Sequence, residues 1–148
     1  MQVEQATHED RGAMVTVLES CGLSSAGILA PGTLYWVCRG ESGLLGICGI
    51  ELGAGCALLR SVCVIESERG KSIAERLVRQ ALREATRLDL QQVYLFSKDT
   101  GEYFERLGWR EVPVAEVAAR MPEAPQVRRY HEIGWYPDER AFARSVAA

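Results

Sequence analysis

The chain has 148 residues, 47% of them hydrophobic and 25% charged, with 17 basic against 20 acidic side chains and a formal net charge of -3. A chain of this length buries roughly 68–70% of the surface its unfolded form exposes, so a single domain over residues 1–148 can hold a core without metal or disulfide staples. The weak negative charge leaves no electrostatic footprint for a polyanion, so neither nucleic acid nor an anionic membrane is expected as a partner; a small anion can still bind locally.

Val3 opens a short strand, and Thr7 then caps a helix with Asp10 three residues on. Met14, Val17, Leu18 and Cys21 recur at helical spacing until Gly22. Residues Leu23 to Gly32 read as irregular or as a short second helix. Three strands follow, Thr33 to Arg39, Leu44 to Glu51 and Cys56 to Ile65, with gaps so short that antiparallel hairpins are implied. Lys71 to Leu88 is the strongest helix, with Ile73, Leu77, Val78, Ala81, Leu82, Ala85 and Leu88 on one face and Arg76, Arg79, Arg83, Glu84 and Arg87 away from it.

Val93 to Phe96 is a short apolar strand, after which Asp99 and Glu102 form a capping box for a helix closed by Gly108. Trp109 to Val114 returns to strand character, and Ala115 to Arg120 is a short helix. Gln126 to Ile133 can be helical and Glu139 to Val146 can be a last strand. The long helix between the fourth and fifth strands permits a parallel pair there. The fold class is therefore mixed α/β or α+β, a three-layer arrangement with a mostly antiparallel sheet.

Five cysteines, Cys21, Cys38, Cys48, Cys56 and Cys63, are scattered without any C-x-x-C, and the two histidines, His8 and His131, stand far apart. No metal-ligand set and no disulfide framework is expected. The opening MQVEQATHED is acidic, without an apolar stretch, and no run approaches ~18 consecutive apolar residues, so neither secretion nor membrane insertion is expected. These features point to a reducing cytoplasm in which the cysteines are small apolar residues. Trp36, Trp109 and Trp135 read as core or interface anchors, and Arg128-Arg129 as a solvated face.

The segment CALLRSVCVIESERGKSIAERL, Cys56 to Leu77, carries a strongly apolar strand through a charged turn into the amphipathic helix. Free amides at a helix start attract anions, and a glycine entry lets a phosphate approach the backbone. Gly70-Lys71-Ser72 matches the end of a P-loop, but Ile65 stands where its first glycine belongs, and Glu66 and Glu68 would sit inside the phosphate loop. That reading fails.

Arg69-Gly70-Lys71-Ser72-Ile73-Ala74 instead resembles motif A of the GNAT acetyltransferase superfamily, [QR]-x-x-G-x-[GA], with Ser72 in place of the second glycine. The run Tyr103-Phe104-Glu105-Arg106-Leu107-Gly108-Trp109 resembles the F-Y-E-K-L-G-F signature of the same superfamily. The resemblance covers nearly the whole chain in element order. Within the superfamily, ALLRSVCV and YFERLGW are most similar to the branch of N-acetylglutamate synthase catalytic domains and arsenic-resistance N-acetyltransferases.

The resemblance implies a fourth strand splayed from the fifth, with coenzyme A between them and no metal. Its pantetheine would pair with the main chain of Val62, Cys63 and Val64, and its pyrophosphate would rest on the amides of Arg69, Gly70, Lys71, Ser72, Ile73 and Ala74. The implied reaction is attack of a primary amine on the acetyl thioester, with a base for the ammonium proton and an acid for the leaving thiolate. Phe104 stands at the family's acid tyrosine, so Tyr103 or water is the candidate acid. Glu51, at the end of the third strand, is the candidate base, or else a solvated carboxylate beside a turn. Arg60, within an apolar strand, either binds a substrate carboxylate or forms an internal salt bridge, for instance to Glu51. His131 is the only other neutral-pH base candidate, and Cys63 is a core residue rather than a nucleophile.

Three functions stay open on these grounds, in this order: an N-acetyltransferase acting on an amino-acid-like amine, a non-catalytic acyl-CoA-binding or sensing module of the same fold, and an interaction-only domain. A homodimer is compatible with the resemblance.

Overall fold

Each run of β-branched and aromatic residues read as a strand is extended in the structure, a computed structural model that describes residues 2–134 and 139–146. The strands are β1 (Gln2–Gln5), β2 (Thr33–Gly40), β3 (Gly43–Leu52), β4 (Cys56–Val64), β5 (Gln92–Phe96), β6 (Arg110–Val112) and β7 (Ala141–Ser145). The helices are α1 (Arg11–Ser20), α2 (Ile73–Arg87), α3 (Gly101–Arg106), α4 (Val114–Arg120) and α5 (Pro125–Ile133). Trp135 lies outside the described residues.

The strands form one seven-stranded mixed sheet in the order β1-β2-β3-β4-β5-β7-β6. β1 runs antiparallel to β2 from Gln2↔Arg39 to Gln5↔Trp36. β4 and β5 are parallel from Cys56↔Gln92 to Leu59↔Leu95, as a helical connection between them requires. β7 pairs antiparallel with both β5 and β6, so the last strand inserts between its two predecessors.

Two compact units share the chain. The first comprises the residues up to Ile50 with Arg60–Glu84, the second Glu51–Leu59 with the residues from Ala85 onward. In the first, Met14, Val17 and Leu18 of α1 join Tyr35, Val37 and Ile47 in one buried cluster. Ile73, Leu77, Val78 and Ala81 form the buried face of α2. Gly46 lets that helix lie close, because a Cβ there would stand 3.0 Å from both the Cys63 carbonyl oxygen and Leu77 Cδ1.

In the second unit, Cys56, Leu58 and Tyr94 cluster with Val117, Met121 and Val127. At ~1.5–3 kcal/mol for each fully buried large apolar side chain, this burial explains why α4 and α5 dock despite the prolines around them. The stretch Leu23–Gly32 is irregular, without a second helix.

One local expectation is overturned. α3 is capped by neither Asp99 nor a box with Glu102: Thr100 is its N-cap residue, and the Thr100 N–H donates to Ser97 Oγ at 3.0 Å. The N–H of the N-cap residue itself is thus met by a serine hydroxyl three residues before it.

Candidate functional site

In the first unit, the chain leaves β4 at Ile65, makes a 3-10 turn over Glu66–Glu68 and enters α2 through Gly70 and Ser72. Gly70 has φ +82° and Ser72 has φ +62°. The Ser72 carbonyl accepts the Arg76 N–H at 3.1 Å, the first bond of the helical ladder. The amides of the first turn of such a helix have no acceptor within it and sit at the positive end of its dipole. A Cβ added at Gly70 would meet nothing within 4 Å, so the backbone there is open to a close approach by an anion. These residues fit a diphosphate.

Two side chains hold this loop. Arg69 Nε donates to the Val64 carbonyl at 3.0 Å, and its Nη2 lies 3.8 Å from Cys21 Sγ. Lys71 Nζ pairs with Glu68 Oε2 at 2.6 Å, which offsets one of the two acidic charges in the turn.

On β4, the parallel register reaches Leu59↔Leu95, and Ser61, two residues further, adopts φ +59°. A left-handed serine inside a strand bends it, at a torsional cost of ~1–3 kcal/mol. Val62, Cys63 and Val64 follow the bend. Arg60 is only 8% exposed, and its Nε donates to Ser61 Oγ at 3.1 Å. Burial, with Cys21 beside it, pushes the Cys63 thiol above its ordinary range, which suits a neutral core residue.

In the second unit, Glu51 is fully buried, and its Oε1 accepts the Gln126 N–H at 2.9 Å. Gln126 lies in the first turn of α5, so the carboxylate meets the positive end of that helix. The alternative of a solvated carboxylate is thereby overturned: Glu51 is buried at the start of α5, and only Leu52 after it reaches the surface.

Gln126, unmarked in the sequence, joins this group. Its Nε2 donates to Tyr130 Oη at 3.4 Å, while its Oε1 is buried without a hydrogen-bond partner among the described residues. A lone glutamine 75 residues from Glu51 offers no sequence signal of the contact. The Tyr130 ring stands 5.2 Å from Phe96. On α3, Tyr103 is half-buried with its ring edge-on to Phe104 at 5.2 Å. Phe104 is buried and packs on Trp109 at 5.8 Å. His131 is exposed. Among the described residues, no group of three or more His, Cys, Asp or Glu side chains can hold a metal ion.

Comparison with known proteins adds the family. The model of the acetyltransferase (GNAT) domain matches residues 31–111. A GNAT-family acetyltransferase from Staphylococcus aureus Mu50 superimposes with TM-score 0.78 at 13% identity, covering 98% of each chain. N-acetylglutamate synthase from Neisseria gonorrhoeae, complexed with coenzyme A and N-acetyl-glutamate, gives TM-score 0.76 at 18% identity over 98% of this chain and 35% of that one. An aminoglycoside 6'-N-acetyltransferase complexed with coenzyme A gives TM-score 0.73 at 14% identity over 99% of this chain and 97% of that one. At such identities the likeness is one of fold. No curated protein matches the sequence.

Proposed function

Because the chain belongs to the GNAT acetyltransferase family, we propose that it moves an acetyl group from acetyl-CoA to a primary amine of a small, amino-acid-like molecule. The observation that carries this reading is the entry to α2, where Gly70 and Ser72 both hold left-handed backbone and the glycine leaves the approach open. Neighbours of the same fold were solved with coenzyme A. We read residues 1–148 as one such domain, working in a reducing compartment where its five cysteines stay free.

The thioester supplies an acetyl group already activated, so that a C–N bond forms at the acetyl carbon as the C–S bond breaks. The amides of Gly70 to Ala74 hold the diphosphate, the Arg69 N–H expected among them being taken by the Glu66 carbonyl at 3.3 Å, and the main chain of Val62, Cys63 and Val64 pairs with the pantetheine. An alkylammonium with pKa near ~10 must lose a proton before it attacks. Glu51 takes that proton, directly or through water. Gln126 Oε1, a buried acceptor beside it, receives an N–H of the amine. Arg60 binds a carboxylate of the acceptor bidentately. Tyr103 gives its hydroxyl proton to the departing thiolate, or water does so, since a thiol of pKa ~8.5 leaves readily.

A second reading, an acyl-CoA-sensing module, is favoured by one observation: Phe104, at the family's tyrosine position, is packed into the core. Acetyl-CoA consumption against a panel of amino acids and amines separates the two. Acetylation of at least one amine is expected, with Glu51→Gln and Tyr103→Phe each lowering kcat by about 100-fold or more. Coenzyme A binding without turnover on any amine would replace the enzyme by the sensor. Full turnover in Tyr103→Phe would assign the proton to water.

A further inference from the structure

α2 turns its apolar face to the core, and on another face Arg76, Arg79 and Arg83 follow at intervals of three and four residues, one above the next. Together with Gln80 and with Gln2 and Val3 of β1, they line a cavity of about 330 Å³ within the first unit. Arg76 and Gln80 are half-buried in it, while Arg79 and Arg83 are exposed. Among the described residues, the guanidinium groups of Arg76 and Arg79 have no hydrogen-bond or ion-pair partner. That of Arg83 reaches only Gln80 Oε1, at 3.4 Å. The acidic side chain next along β1, Glu4, is engaged by Arg39, as is Asp10.

Like charges three and four residues apart each destabilise a helix by ~0.2–0.5 kcal/mol, and Glu75, four residues before Arg79, is the one acidic residue of α2 at a spacing to offset part of that repulsion. The chain as a whole is negative, at -3, which makes a group of three cations with one acidic neighbour on the helix a local feature rather than a reflection of composition. The cavity falls within the ~300–1,000 Å³ range of small-molecule sites. Guanidinium forks match the paired oxygens of phosphates and carboxylates, and two glutamine amides add neutral donors at the rim.

We infer that this cavity binds a small organic anion bearing two or more phosphate or carboxylate groups, at a site separate from the acyl-CoA cradle. Arg79 and Arg83 stand about 7.5 and 13.5 Å along the helix axis from Ala74, where the cradle ends, at 1.5 Å per residue.

Calorimetric titration of the full chain with sodium pyrophosphate, and separately with citrate, at constant ionic strength tests the inference. Each is run with and without coenzyme A, on wild type and on Arg79→Gln/Arg83→Gln. At least one anion binds the wild type in the presence of coenzyme A, and the double variant weakens it by about tenfold or more, with coenzyme A affinity unchanged. The tighter of the two anions identifies the phosphate or the carboxylate class. Glutamine keeps helix propensity close to that of arginine, so the variant melts no lower than wild type. Absence of binding by both anions at millimolar concentration overturns the site. So does an affinity equal in wild type and variant, or full displacement by coenzyme A, which would put the anion in the cradle. The comparison of variant with wild type holds even if coenzyme A does not bind, so failure here and failure of the acetyltransferase reading are separable.

Discussion

Gly70 and Ser72 share a left-handed backbone, with φ +82° and +62°, yet substitution acts on them in opposite directions. An L side chain in that region costs roughly 1–2 kcal/mol, while glycine is free of the penalty but loses ~0.5–1 kcal/mol more chain entropy on folding. Gly70→Ala therefore destabilises by ~1 kcal/mol through torsion alone, since the added Cβ touches nothing within 4 Å. Ser72→Gly removes its penalty, so thermal melts place it level with wild type or up to ~1 kcal/mol above it. Coenzyme A binds the Ser72→Gly protein at least as tightly, because the amide stays and a Cβ leaves. A clear drop in melting temperature for Ser72→Gly would mean that its hydroxyl, not the backbone, matters there. The serine was visible in the sequence as a departure from the motif; its torsion was not, because φ follows from how the turn meets α2.

At the scale of elements, charge ties the start of the chain together. Asp10 accepts the Thr7 N–H at 2.9 Å and both oxygens receive Arg39 Nη2, at 2.8 and 2.9 Å, while Glu4 of β1 takes Arg39 Nε. The Thr7 amide foremost holds the Asp10 carboxyl below its ordinary range; burial opposes it as the next-largest effect, and the Arg39 side chain adds to the lowering. A depressed folded pKa stabilises above the unfolded value and is lost as pH falls through the folded one. Asp10→Asn should therefore cost ~1–2 kcal/mol at neutral pH. In chemical denaturation the gap to wild type closes as pH falls below ~4. A gap that persisted at low pH would assign the loss to packing. The Thr7–Asp10 half of this network was legible from their spacing of three residues, whereas Arg39 sits 29 residues from Asp10 and reaches it only because β2 pairs with β1.

For the whole molecule, ligand linkage is the decisive measurement. A ligand that binds only the folded chain adds RT ln(1 + [L]/Kd), so coenzyme A at 100 times its Kd stabilises it by about 2.7 kcal/mol. For a chain of this size that is an upward shift in Tm of several degrees, roughly 2–4 °C per kcal/mol. No shift at millimolar coenzyme A would sink the acetyltransferase and sensing readings together. The sheet shows where reading the chain in order stops. The parallel β4–β5 pair was legible because α2 lies between them, but the order β5-β7-β6 was not. β6 and β7 are joined through α4 and α5, a connection long enough to permit several strand orders.

The sequence by itself determined the strands and helices, the acetyltransferase family and the glycine-bearing turn into α2. Each of these rests on periodicity, turn chemistry or motif spacing along a few consecutive residues. Only the tertiary structure decided that Glu51 meets Gln126 across 75 residues, that Arg39 joins Asp10, and that three arginines of α2 converge with β1 on one cavity. Such contacts depend on where the backbone carries each side chain, and no local pattern of residues encodes that.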